Sequence, residues 1–235
     1  MFSKKDYNLT DAFRGIMKKA EKNLLLSLYK KNNFTFDFYL NEDMMVNDFL
    51  KKLISRKPRF WSIIEKAIVS SPHVSIIYSD RYLNTPLGCL LLSQLIRQIR
   101  HYYQIHFDSI VLNISRTGFH PNKNNPSSTM IFPNHIQRDK FLQSCMKLLV
   151  KEDYTEKERN IPHQRVLSIS NAKCTLEIHF DGGIAYGWRL SHEEDKLTME
   201  QIEANISYNY TCINQLARKY DRKGIFFVAR MLFKD

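Results

Sequence analysis

Three short stretches hold the residues that could handle a phosphate. His163 and Arg165 stand two apart at the head of "HQRVLSIS", so in a strand both side chains leave the same face, with Leu167 and Ile169 continuing that face into a core. Arginine offers a fixed fork of donors to phosphate oxygens, and histidine can hydrogen-bond or exchange a proton near neutral pH. The following run, "KCTLEIHF", ends at Asp181-Gly182-Gly183. There a carboxylate can orient His163 or an arginine, and glycine lets the backbone approach a ligand closely. The third stretch, "HVSIIYSDRYLNTPLG" (73–88), carries Asp80 and Arg81 at the end of an apolar strand-like run. Each of these residues could instead be a cap or half of a structural ion pair.

The elements that position them follow from periodicity. The apolar residues Val74, Ile76, Ile77 and Tyr78 fall on both faces of their strand, which predicts a central strand covered on both sides. Thr85-Pro86 is a cap and first-turn pair, and Leu87, Leu91, Leu95 and Ile99 carry an apolar stripe to about residue 103. "FDSIVLNIS" is the next strand, so strand, helix and strand form a crossover unit. In such sheets ligands sit at the carboxyl ends of the strands, where Asp80, Arg81, Ser115 and Arg116 emerge.

Elsewhere, residues 10–31 predict a basic amphipathic helix, "FTFDFYL" a strand, and residues up to 54 and beyond Pro58 two short helices, the second with Trp61, Ile64 and Ile68 inward. The polar run 116–128 reads as a long loop beside the site. A helix follows over 134–151, with Phe141, Leu142, Cys145, Leu148 and Leu149 inward, and then the charged linker "KEDYTEKERN". The second half predicts the two strands already named, joined by a tight turn at Asn171-Ala172. A short strand "IAYGWRL", a long helix from about 199 to 220 and a closing strand "GIFFVARML" complete it. The expected fold class is α/β, a mixed sheet flanked by helices with an N-terminal amphipathic helix. Residues 1–69 form a helical segment with one strand packed on a main domain of residues 70–235.

Lys and Arg total 35 against 24 acidic residues, a formal charge of +11. That balance points to polyanionic partners, nucleic acid or an acidic membrane surface, although a hydrated basic surface has the same composition. Cys89, Cys145, Cys174 and Cys212 lie far apart without C-x-x-C spacing, so neither a zinc knuckle nor a disulfide framework is signalled, and a cytoplasmic location is expected. No apolar run approaches the roughly 20 residues needed to span a bilayer. There is no Gly-rich phosphate loop, Gly-x-Ser-x-Gly elbow or His-Glu-x-x-His, so no motif supports nucleotide hydrolysis, serine hydrolysis or zincin chemistry, and no metal or cofactor is expected.

Tyr78-Ser79-Asp80-Arg81-Tyr82-Leu83 with Pro86-Leu87, then Pro162-His163-Gln164-Arg165 with Leu167, then Phe180-Asp181-Gly182-Gly183 resemble in order and spacing a phospholipase D-like domain of bacterial defence proteins, often joined to or encoded beside helicases. A degenerate form closes MIT-domain proteins. The resemblance covers roughly residues 70–232 and implies a mixed sheet between helices, with both motifs facing one groove. Active members of the wider superfamily use His-x-Lys followed by Asp, normally twice. Here Arg165 stands where Lys would be, Ser170 where Asp would be, and no second copy is visible.

The leading expectation is therefore a non-catalytic, phosphate-binding subunit that engages DNA or RNA in a bacterial antiviral defence or DNA-processing complex, beside a helicase or another defence subunit. Phosphates would meet Arg81, His163 and Arg165, with Asp80 and Asp181 orienting them and Arg97, Arg100 and Arg116 extending the positive surface. Two alternatives stand beside it. One is a divergent phosphodiesterase or nuclease with His163 as nucleophile or general acid; the other is a protein interaction module whose charged strand ends form buried ion pairs.

Overall fold

The computed structural model describes residues 33–40, 46–56, 58–69, 71, 73–117, 131–150, 154–158, 161, 165–180, 183–185, 188–189, 218–219 and 225–234. In chain order these form β1 (Asn33–Leu40), α1 (Val46–Arg56), α2 (Pro58–Val69), β2 (Val74–Asp80), α3 (Pro86–Tyr103), β3 (Phe107–Ile114) and α4 (His135–Lys147). β4 (Tyr154–Glu158), β5 (Arg165–Ser170), β6 (Cys174–Phe180), β7 (Trp188–Arg189), β8 (Arg218–Lys219) and β9 (Ile225–Phe233) follow. The expected helix over 10–31, the loop beyond residue 117 and most of the helix over 199–220 lie outside the described residues.

Seven strands form one mixed sheet in the order β1-β9-β6-β5-β2-β3-β4. β2, β3 and β4 run parallel, and the remaining neighbours pair antiparallel. The expected class, α/β with a mixed sheet flanked by helices, is what the chain adopts, and the sheet continues across residue 155.

One face of this sheet is the core face. Register places Tyr78 beside both Leu112 and Leu167, and Leu167 beside Ile178, so these side chains share a face with Ile76, Ile110, Ile169 and Leu176, and all are buried. α3 contributes Leu87, Leu91, Leu92, Leu95, Ile96 and Ile99 to the same core. Thr85 starts the helix, its hydroxyl accepting from the Gly88 amide at 3.0 Å, with Pro86 in the first turn.

The structure corrects several expectations. β2 is not covered on both sides: Ile77 is 39% exposed, and Ser75 and Ser79 beside it are only half-buried. The charged linker contains β4, an edge strand paired with β3 from Ile110–Tyr154 to Ile114–Glu158. An edge strand presents charge to water on one side and needs only one partner, so a hydrophilic sequence suffices. Leu148 is 54% exposed, because α4 ends at Lys147 and the chain has turned. Arg218–Lys219 pairs with Trp188–Arg189 where the end of a long helix was expected, and of the strand expected over 184–190, Ile184 and Ala185 form a turn instead while Trp188–Arg189 is strand.

Candidate nucleic-acid interface

The carboxyl end of the parallel strands holds the buried Asp80 and, reaching in from α4, the buried Arg138. Asp80 stands beside Ile114, and Ile114 beside Glu158. The antiparallel register sets Ser79 against Val166, so the next residue outward on each strand is Asp80 and Arg165. Residues distant in sequence are thereby brought to one edge.

Asp80 is only 3% exposed and is held by donors. The Tyr78 hydroxyl donates to Oδ2 at 2.8 Å and the Tyr82 amide to Oδ1 at 2.7 Å. Arg165 Nε lies 3.6 Å from Oδ1, an ion pair longer than a hydrogen bond. Burial raises the Asp80 carboxyl above its ordinary range, opposed by the Tyr82 amide, the Tyr78 hydroxyl and the positive charge of Arg165 and Arg138. The Tyr78 hydroxyl is likewise raised, by its own burial and then by Asp80.

Above this anchor lies one aromatic ring shared by two cations. The Arg165 guanidinium carbon is 5.2 Å from the centroid of Tyr82, and that of Arg81 is 5.9 Å from it. Both fall within the range of cation–π attraction. Tyr82 is 38% exposed and Arg81 is exposed beside it, whereas the Arg165 side chain is only 19% exposed.

Gly183 fixes the other side of Arg165. It adopts φ +87°, and a Cβ there would lie 3.1 Å from Arg165 Cδ and 3.2 Å from Nε. A Gly183→Ala protein is expected to lose about 1–2 kcal/mol, from left-handed backbone strain and displacement of the guanidinium stem. Chemical denaturation would show it, and an unchanged midpoint would mean that Arg165 is not held by this approach.

Arg116 leaves the end of β3 and pairs with Glu158 at 3.2 Å. The backbone before it is pinned by Arg138, whose Nη1 donates to the Ser115 carbonyl at 2.6 Å. Arg138 is 1% exposed and also donates from Nε to Asp139 at 2.8 Å. The sequence reading missed this residue. Its signal was available, since Arg138, Phe141, Leu142 and Cys145 fall on one helical stripe and an arginine on an apolar stripe implies a buried acceptor set. Nothing in the spacing of Tyr78 and Tyr82 marks the buried hydroxyl donor and the shared ring that they form here.

Of the residues expected at the site, Asp80, Arg81, Arg116 and Arg165 share this end of the sheet. Arg97 and Arg100 do not. α3 starts near Asp80 and runs back along the sheet, so they lie about 16 and 21 Å down its axis. Arg100 Nη1 donates to the Leu149 carbonyl at 3.0 Å, serving the chain where it leaves α4. His163 and Asp181 lie outside the described residues. On β6, His179 Nε2 lies 3.2 Å from Glu177 Oε2, on the face opposite Ile178. Among the described residues no three His, Cys, Asp or Glu side chains gather as a metal site, and no helix is long and apolar enough to cross a membrane.

Two levels of kinship follow. Strand order and site belong to an α/β domain with its charged groups at the carboxyl end of a mixed sheet. Residues 40–218, about three quarters of the chain, match the family described as the C-terminal domain of the DEAD/DEAH box helicase YjiV, and the chain belongs to that helicase-associated family. The curated proteins and the solved structures contain no match to it.

Proposed function

We propose that this chain is a non-catalytic nucleic-acid-binding domain that grips the phosphodiester backbone for a helicase, in a bacterial antiviral defence or DNA-processing assembly. The observation that carries this reading is the ring of Tyr82 with the guanidinium groups of Arg81 and Arg165 against it. Aromatic faces beside arginines are what a single strand needs, since bases stack on the ring while phosphates meet the cations. Family membership supports a helicase as the partner, and the formal charge of +11 supports a polyanionic ligand. The defence role and the phospholipase D-like kinship rest on the motifs around Asp80, His163 and Asp181.

The chemistry of the edge favours holding over cutting. A guanidinium cannot shuttle protons, and both Asp80 oxygens are already occupied by donors. Tyr82→Ala is expected to weaken single-stranded DNA or RNA binding about tenfold, with a smaller effect on duplex, because stacking needs an unpaired base. Fluorescence anisotropy on both probes tests this, and equal affinity of wild type and variant for the single strand would remove Tyr82 from the interface.

A further inference from the structure

Between α4 and the edge strand β4 lies an open groove of about 430 Å3, lined in part by Arg116, His135, Asp139, Lys140, Tyr154 and Glu156. Its charges are sorted by depth. Asp139 is 20% exposed and anchored by the buried Arg138, and Glu156 is half-buried with its Oε1 accepting from the Tyr154 hydroxyl. Arg116, by contrast, is 53% exposed, and Lys140, the residue after Asp139 on α4, is exposed. The groove therefore has carboxylates inward and cations at the rim.

A ligand complementary to that arrangement carries hydrogen-bond donors at one end and negative charge at the other. A simple anion would meet the inner carboxylates, and a basic peptide would meet the rim cations. A nucleotide with an amino-bearing base satisfies both ends, since carboxylates accept from an exocyclic amine and arginine or lysine takes the phosphate. The volume falls within the range of small-molecule sites. Arg116 belongs both to this groove and to the sheet edge that holds Asp80 and Arg165.

We propose that this groove takes one nucleotide, the exocyclic amine of its base donating to Asp139 or Glu156 and its phosphate lying against Arg116 and Lys140. The inference rests on the nucleic-acid reading above and deepens it: the sheet edge grips backbone without regard to sequence, and the groove prefers bases that carry an amine. Uracil presents a carbonyl where cytosine presents the amine, so its oxygen faces the inner carboxylates.

The test compares labelled single strands of cytosine and of uracil, equal in length, by anisotropy, together with calorimetric titration of free CMP and UMP. The cytosine strand is expected to bind about tenfold tighter. Glu156→Gln should shrink that preference below about threefold, because the amide it introduces can donate to the uracil carbonyl. Equal binding of the two strands by the wild-type chain would overturn the groove assignment while leaving backbone gripping intact. A cytosine preference unchanged in both a folded Glu156→Gln and a folded Asp139→Asn protein would also overturn it. Selective binding of CMP without binding of either strand would keep the groove and remove the strand-binding function. No binding of strands or nucleotides would overturn both.

Discussion

An Asp80→Ala protein should lose about 3 kcal/mol of unfolding free energy, the largest stability effect expected from a single polar residue at the site. The change strips the acceptor from the buried Tyr78 hydroxyl and from the Tyr82 amide, and leaves Arg165 without its carboxylate. It also frees the Tyr82 segment, so nucleic-acid affinity should fall with stability. Urea denaturation gives the first quantity, and a loss under about 0.5 kcal/mol would contradict the view that Asp80 organises this edge. The pH dependence carries a definite sign. Because burial raises the folded-state value of Asp80, the folded chain holds that proton more tightly than the unfolded one. The stability this contributes is fully present below the unfolded carboxylate pKa and is lost as pH rises through the raised folded value. Asp80→Asn should remove that slope.

Reversing two exposed cations should have the largest effect on binding. Arg81 and Arg116 are both exposed, so Arg81→Glu with Arg116→Glu should leave the fold intact while placing two negative charges where phosphates are to pass. Affinity for a single strand is expected to drop by about tenfold to a hundredfold near physiological salt, and the salt slope to fall by about two ions. Arg81→Glu alone should act equally on all base compositions, since phosphate contacts carry no base information. Unchanged affinity in a folded double variant would move the interface elsewhere. Arg165 is a poorer probe than its sequence position suggests, because its reversal would set a second carboxylate against buried Asp80.

What the sequence made legible is the part of the fold where local signals agree. The apolar run to Tyr78, the Thr85-Pro86 cap and the leucine stripe after it all specify β2 and α3, and both form with bounds within a residue of those expected. The grouping of Asp80, Arg81 and Arg116 followed from the rule that parallel strands expose ligands at their carboxyl ends. β4 was hidden because Tyr154, Glu156 and Glu158 alternate within a charged run, and the strand exists through its pairing with β3. The partner of Arg100 was illegible, since Leu149 lies 49 residues away and is reached only after α4 packs on α3. The exposed face of β2 escaped because Ile77 is apolar in sequence although no apolar neighbour flanks it in its own strand face, where Ser75 and Ser79 stand.

The most direct test of the central claim is an anisotropy titration of the whole chain with labelled single- and double-stranded DNA and RNA over a salt series, with the probe checked for integrity afterwards. The account predicts tight binding of an intact probe, with a salt slope of several ions. No binding near physiological salt would contradict it, making the charge of +11 a hydrated surface, and a shortened probe would replace gripping with cleavage.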